Sequence, residues 1–345
     1  MLRRAAPAFA LFFLSPLVAE FLLGDFTLAA LPVLFFLAPL YGGGALLIRE
    51  VARRTGRGWP AMALLALAYG VLEEGIFTQS LFNPDYAGHH LLSRGFVPAL
   101  GIAVPWTLYV LALHTVWSIS VPIALAESGT RRRTTPWLRT PGLIVTVVLF
   151  LVGAALTTVF SWSSGHFWAS WPQLVTVVVI AAVLVVAAFL VPPVPKRTPT
   201  APPWALLLLT VAGGALFMGG MRLDTVPAVI AILVSFAAVL TGLIAWARTP
   251  AHVLAAAAGG VLTYAWHSFF LTPLQGDGPV ITPVSHVVFV LAAVFLVTVL
   301  WRRRAWSDEV HGGRSSGGAA GDAGRGGGGD ALVRGPSEAA ARAEG

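Results

Sequence analysis

The sequence has no cysteine and very little charge. Only 11% of its 345 residues are charged, whereas a soluble globular protein has roughly 25%. The absence of cysteine excludes disulfides, thiolate metal sites and a cysteine nucleophile. The shortage of charge excludes a soluble globular protein, because too few polar groups remain to cover a surface in water. The 57% hydrophobic content and mean hydropathy of +0.81 indicate instead that the main partner is the lipid bilayer.

Lysine is almost absent as well, since Lys196 stands alone among 22 basic residues. This scarcity, with the abundance of Ala, Gly and Val, is typical of a GC-rich genome. The net charge of +7 would suggest nucleic acid in a soluble chain. The basic residues fall in short loops between apolar segments, however, so no nucleic-acid partner is expected. We expect a multi-pass protein of the plasma membrane, specifically the cytoplasmic membrane of a bacterium.

Ten apolar segments are long enough, or nearly so, to cross a bilayer, which takes about 20 residues in a helix. Each must be helical, because lipid offers no hydrogen-bond partner to backbone groups. The predicted fold class is therefore all-α, a polytopic transmembrane helical bundle. The predicted spans are about 5–23, 28–48, 60–78, 98–124, 142–162, 173–192, 203–220, 226–247, 251–271 and 284–301.

The basic residues also predict the orientation of the bundle, since cytoplasmic loops carry an excess of Lys and Arg. With the N-terminus inside, 16 of the 18 basic residues before position 305 fall in cytoplasmic loops, and Arg94 and Arg222 fall outside. Both termini are therefore predicted to be cytoplasmic. We predict an integral membrane domain over 1–304 and a disordered, glycine-rich cytoplasmic tail over 305–345.

Ionisable residues inside the spans are the candidates for function, because each costs about 2.5–3.5 kcal/mol to insert. They are Glu20, Glu73, Glu74, His114 and His267. With a rise of about 1.5 Å per helical residue, all five fall at similar depths, at or just outside the midplane. The sequence thus predicts one buried layer of carboxylates and imidazoles.

Glu73 and Glu74 form the sharpest feature of this layer. Two close carboxylates suit a general base or a proton carrier, and His114 is predicted at matching depth. We assign Glu73, Glu74 and His114 as candidate catalytic residues, and His114 and His267 as candidate ligands of a metal, with Zn²⁺ as the candidate ion. The plainer interpretations are that the glutamates end span 3 in water, that His114 only packs, and that His267 sits in the interfacial aromatic belt.

The glutamate pair, with a membrane histidine about 40 residues later, resembles the CPBP family of intramembrane metalloproteases, which is related to CAAX prenyl-endopeptidases. That family carries Glu-Glu-x-x-x-Arg, Phe-x-x-x-His and His-x-x-x-Asn on core helices. The resemblance implies that Glu73 or Glu74 activates water and that His114 belongs to the metal or oxyanion site. The sequence departs from the pattern at Thr78, in place of arginine, and at Val110, in place of phenylalanine.

Three functions therefore remain open. The first is an intramembrane, metal-dependent hydrolase. The second is a secondary transporter that uses the same carboxylates as a proton or cation site. The third is a structural membrane protein, in which the buried polar residues only connect helices.

Overall fold

The prediction of an all-α membrane bundle is confirmed. The computed structural model describes residues 2–192, 198–274 and 277–317, with side chains described from Ala5 to Arg303. In these ranges, ten helices are long and apolar enough to span a membrane, and we number them span 1 to span 10. They are Ala5–Leu22, Leu28–Arg54, Trp59–Phe77, Val104–Ser128, Thr140–Gly165, Trp171–Leu190, Pro203–Gly220, Thr225–Trp246, Pro250–Phe270 and Gly278–Arg303.

Several spans are not uniform α-helices. Span 1 ends in a π-helical segment, Leu17–Leu22, and span 3 ends in another, Glu73–Phe77. Span 4 consists of α-helix Val104–Ala112, π-helix Leu113–Ser120 and α-helix Val121–Ser128. Span 2 begins with the 3₁₀-helix Leu28–Val33, and span 9 ends with the 3₁₀-helix Ser268–Phe270.

The predicted boundaries are wrong at three places besides the end of span 2, which is described below. Span 4 begins at Val104 and not near 98, because the residues before it form a short hairpin of β1 (Phe96–Val97) and β2 (Ile102–Ala103). Span 10 begins earlier, at Gly278.

The third difference concerns the tail. The last helix runs from Gly278 to Gly317, so the beginning of the segment predicted to be disordered has helical backbone. The residues from Ala305 to Val310 are compatible with a helix, and the glycine-rich composition starts only at Gly312. The rest of the predicted tail lies outside the described residues. The described residues up to Leu300 form one compact unit, and the described residues from Trp301 to Gly317 belong to a second unit.

Burial separates central from peripheral spans. Spans 3, 4 and 9 are mostly buried within the protein, whereas spans 5, 6, 8 and 10 expose most of their apolar side chains. In a bilayer those exposed faces meet lipid chains. The central spans are also the ones that carry Glu73, Glu74, His114 and His267, so the candidate residues lie on the best-shielded helices.

The end of span 2 differs from the solvated basic loop that the sequence predicts. Arg49 is fully buried, with its Nη1 2.6 Å from Glu50 Oε1 and its Nε 3.1 Å from Glu127 Oε1. Its guanidinium also stacks 3.5 Å from the ring centre of Trp137. Arg49 thus connects spans 2 and 4 to the loop after span 4, in addition to any effect on orientation. The prediction missed this role because it ended span 2 at residue 48.

Candidate functional site

Four candidate residues lie in π-helical segments. Glu20 belongs to Leu17–Leu22, Glu73 and Glu74 to Glu73–Phe77, and His114 to Leu113–Ser120. In the second segment the Thr78 amide bonds to the carbonyl of Glu73 at 2.8 Å, five residues back. A π-helical turn widens the helix, is rare, and occurs frequently at functional sites. The π-helical backbone therefore occurs at the same ionisable residues that the sequence singles out as candidates.

The imidazole of His114 lies between the two carboxylates. Its Nε2 is 2.6 Å from Oε1 of Glu74, and its Nδ1 is 2.9 Å from Oε2 of Glu73. Nδ1 is also 3.2 Å from the hydroxyl of Ser118, one turn along span 4. Adjacent residues on a regular helix point about 100° apart, so two neighbouring glutamates reach one imidazole here from different sides.

Glu74 is held by further donors from the chain that follows span 3. Its Oε2 accepts hydrogen bonds from the hydroxyls of Thr78, at 3.1 Å, and Ser80. Between them, Gln79 adopts a left-handed backbone with φ of 56°, which turns the chain back toward the site. Such a conformation in a residue other than glycine carries strain and is common near functional sites.

The polar run from Thr78 to Ser80 is buried, and the glutamates are 1% and 5% exposed. The plainer interpretation, in which Glu73 and Glu74 end span 3 in water, is therefore wrong. The side chain of Gln79 accepts a hydrogen bond from the amide of Ala169, which covers this side of the site with the loop before span 6.

Aromatic rings form the walls around His114. The ring of Tyr41 is stacked at 6.0 Å from the imidazole, and the ring of Tyr69 meets it edge-on at 6.2 Å. Gly70 allows span 4 to approach span 3, since a Cβ at that position would lie 3.1 Å from the Cβ of His114. The site is thus a polar cluster in a mainly apolar, close-packed surrounding.

The donor atoms of this cluster suit a metal ion. One ligand atom each from Glu73, Glu74 and His114 lies within 4.8 Å of the others. In the described ranges, these three residues are the group of acidic and histidine side chains that could hold a metal ion. Two carboxylate oxygens and one imidazole nitrogen are donors that Zn²⁺ accepts. Within the same ranges, Oε2 of Glu73 is buried and has no hydrogen bond of good geometry. Nδ1 of His114 lies 2.9 Å away but is poorly aligned, and a buried carboxylate oxygen of this kind fits a cation or an additional proton.

A family comparison covers nearly the whole membrane part. A model of an uncharacterized membrane protein family matches residues 9–304. The chain belongs to this family. No curated protein and no solved structure matches the chain. This match does not show the resemblance of the glutamate pair and His114 to CPBP proteins, which stays a prediction.

His267 lies outside the cluster formed by Glu73, Glu74 and His114. His267 is the last residue of the α-helix in span 9, is buried, and packs edge-on against Trp266. Its Nδ1 has no hydrogen-bond partner among the described residues. Its predicted role as a metal ligand is therefore not supported by proximity to Glu73, Glu74 and His114.

Glu20 has an intermediate position. It is partly exposed and lies close enough to Tyr41, Glu73 and His114 to interact with them electrostatically. The hydroxyl of Ser15, on the same helix, donates to the carbonyl of Ser118, which fixes span 1 against the π-helical part of span 4. Span 1 thus belongs to the wall of the site.

Sequence analysis missed Tyr41, Tyr69 and Ser80 as site residues. Tyrosine in an apolar segment is also common at membrane interfaces, so the two tyrosines carry no distinguishing signal. The polar run around Ser80 was visible, but it indicates the end of a helix in water equally well. It also did not single out His286, which is buried in span 10.

Proposed function

We propose that this protein is an intramembrane hydrolase of a bacterial cytoplasmic membrane, in which Glu73, Glu74 and His114 hold a divalent metal ion, with Zn²⁺ as the first candidate. The observation that carries the proposal is the convergence of three ligand atoms within 4.8 Å on buried, adjacent spans. Burying two carboxylates and an imidazole in lipid is costly, and a function accounts for that cost better than packing does.

In this proposal the residues of the cluster and their neighbours have separate roles. Glu73, Glu74 and His114 would hold the ion, and the chemistry it would supply is an activated water as nucleophile, as in catalytic zinc sites. Besides holding the ion, Glu73 is the ligand best placed to take up the proton, because the 2.9 Å contact of its Oε2 with Nδ1 of His114 is poorly aligned. Thr78 and Ser80 hold the carboxylate of Glu74 in place.

Metal content of the purified protein tests the proposal. The full chain, purified in detergent without chelator, is expected to contain about one equivalent of zinc by elemental mass spectrometry. Glu74→Gln and His114→Gln keep similar side-chain size but lose a ligand, so both are expected to lose most of the metal. The same preparations are then assayed with fluorogenic peptide and ester substrates in mixed micelles.

His286→Gln is the matched control, because His286 is also a buried membrane histidine but lies outside the cluster. It is expected to retain the metal. Equal metal content in the wild type, Glu74→Gln and His114→Gln would contradict the metal site. Retained hydrolysis in Glu73→Gln, at wild-type rate, would contradict the role of Glu73.

A proton site is the second candidate, and a specific observation favours it. Both nitrogens of His114 lie within 3 Å of carboxylate oxygens, which is the geometry of shared protons without any metal. In a proton-coupled transporter, these groups would take up and release protons during transport. Proteoliposomes that contain a pH-sensitive dye distinguish the transporter from the hydrolase. If the purified protein has no bound metal, carries a proton flux, and loses that flux in Glu73→Gln, the result supports transport.

A further inference from the structure

A second site, a mainly apolar groove with a few polar groups, lies on the predicted cytoplasmic side, far along the chain from the glutamate pair. It is a groove of about 470 Å³ between the segment that leads into span 7 and the end of span 8. Its lining combines hydroxyl groups, one guanidinium and short apolar side chains, from Thr198, Thr200, Thr241, Ile244, Ala245 and Arg248.

Arg248 is the group in this groove that lacks partners. Its Nη2 donates to the carbonyl of Ile244, but Nε and Nη1 are buried and donate to nothing in the described part of the chain. A buried guanidinium donor without an acceptor is costly, and an oxyanion is the ligand that satisfies it best. The groove therefore offers unused donors to an anion.

The described residues from 198 to 274, which contain the whole lining of the groove, supply no negative charge beside it. Between 198 and 274 the acidic residue is Asp224, at the opposite end of span 8. The sequence of residues 193–197 contains no acidic residue either. Charge complementarity therefore points to an acceptor from outside this region.

The groove is also held in shape. Nε2 of His252 lies 2.9 Å from the carbonyl of Ala201, and its Nδ1 lies 2.7 Å from the hydroxyl of Thr249. These contacts connect the segment that carries Thr198 and Thr200 to the start of span 9. Thr198 and Thr200 therefore lie on an anchored segment, and they line the same groove as Arg248.

The surroundings of the groove are apolar and face lipid. Leu240 and Ile244 are 57% and 60% exposed, and Trp204 at the start of span 7 is exposed as well. Exposed tryptophan at a span end is typical of the membrane interface. We propose that this groove binds the phosphate headgroup of an anionic phospholipid, with Arg248 and the threonine hydroxyls as donors and the acyl chains along Leu240 and Ile244.

Lipid titration of the delipidated full chain tests this site. Binding of short-chain phosphatidylglycerol and phosphatidylcholine in detergent is followed by native mass spectrometry. Phosphatidylglycerol is expected to bind as one tight equivalent, at least tenfold more tightly than phosphatidylcholine. Arg248→Gln is expected to weaken phosphatidylglycerol at least tenfold, and Thr241→Val a few-fold.

Arg139→Gln is the matched control, since Arg139 is an exposed arginine on the same predicted side. It is expected to bind phosphatidylglycerol as the wild type does. Arg248→Lys, which keeps the charge, serves as a second variant and is expected to retain part of the affinity. Unchanged phosphatidylglycerol binding in folded Arg248→Gln, or equal loss in Arg139→Gln, would overturn the proposal.

Competition with inorganic phosphate tests whether the anion in the groove is a lipid headgroup or soluble phosphate. If the lipid is the ligand, millimolar phosphate is expected to compete only weakly with phosphatidylglycerol. Competition by phosphate as strong as that by the lipid would overturn the lipid assignment and leave a site for soluble phosphate.

Discussion

Nε2 of His114 lies 2.6 Å from Oε1 of Glu74, although 40 positions separate the two residues in the chain. The contact joins spans 3 and 4 in the interior of the bundle, where both side chains are almost fully buried. Removing one partner of a buried charged pair leaves the other uncompensated, at a cost of about 3–5 kcal/mol. The contact therefore matters for stability whatever chemistry the site performs.

Glu74→Ala is accordingly expected to destabilise the protein by about 3–5 kcal/mol, because His114, Thr78 and Ser80 all lose their acceptor. The shift is measured as the melting temperature in detergent, by tryptophan fluorescence. Asp224→Asn, at an exposed carboxylate that precedes span 8, is the control and is expected to change stability by less than about 0.5 kcal/mol, because Asn and Asp are equally suited to this position. Equal melting temperatures for Glu74→Ala and the control would mean that the pair contributes nothing to stability.

The sequence predicts most of the fold because membrane insertion obeys simple rules. Span length, apolar composition and the distribution of Arg place all ten spans to within a few residues, except for the end of span 2 and the starts of spans 4 and 10. The two misplaced starts lie at the predicted outer ends of their spans. Hydropathy cannot tell the hairpin around Phe96 from helix, because a short strand can be equally apolar.

The site was predictable in its residues but only partly in its geometry. Helical depth alone brings Glu73, Glu74 and His114 to one layer, and they do meet. Depth does not give rotation about the helix axis, so it placed His267 in the same layer although it lies outside the cluster. The π-helical turns that allow both glutamates to reach one imidazole have no sequence signature of their own.

Arg49 gives a second prediction, because its buried guanidinium has so many acceptors. Besides Glu50 and Glu127, it donates to the carbonyls of Arg133 at 2.9 Å and Thr135 at 2.8 Å. Arg49→Met is expected to destabilise the protein by at least about 3 kcal/mol, since it leaves two buried carboxylates with fewer partners. It should also expose the loop after span 4 to trypsin, measured by limited proteolysis.

Arg139→Met controls for the loss of a basic residue on the same side. Its side chain is exposed, so the expected change in stability is below about 0.5 kcal/mol. A trypsin pattern of Arg49→Met identical to that of the wild type would show that Arg49 does not fix this loop.

Asp25 gives a prediction of pH dependence. It lies in the connection between spans 1 and 2, and burial together with the negative charge of Glu20 raises its pKa well above the usual range. The folded state therefore binds the proton more tightly than the unfolded state, whose pKa is about 3.9. The penalty for ionising Asp25 is absent below that pH and grows as the pH rises through the folded-state pKa.

Asp25→Asn removes this penalty. The variant is expected to melt at a higher temperature than the wild type at neutral pH, and the difference should shrink toward pH 4. Melting curves in detergent between pH 4 and pH 8 provide the measurement, with Asp224→Asn as the exposed control. A difference that is constant across this range would contradict the assignment to Asp25.

A close backbone contact between spans 1 and 2 gives the last prediction. A Cβ on Gly42 would lie 1.9 Å from the carbonyl oxygen of Phe12, so only glycine lets span 2 approach span 1 at this level. Gly42→Ala must push the two backbones apart, and overpacking of this kind costs about 1–3 kcal/mol or more. Gly219→Ala is the matched control, since a Cβ there meets nothing within 4 Å. The control is expected to be neutral or to gain up to about 1 kcal/mol from helix propensity. Melting temperatures in one detergent compare them, and a Gly42→Ala protein as stable as Gly219→Ala would refute the close approach of spans 1 and 2.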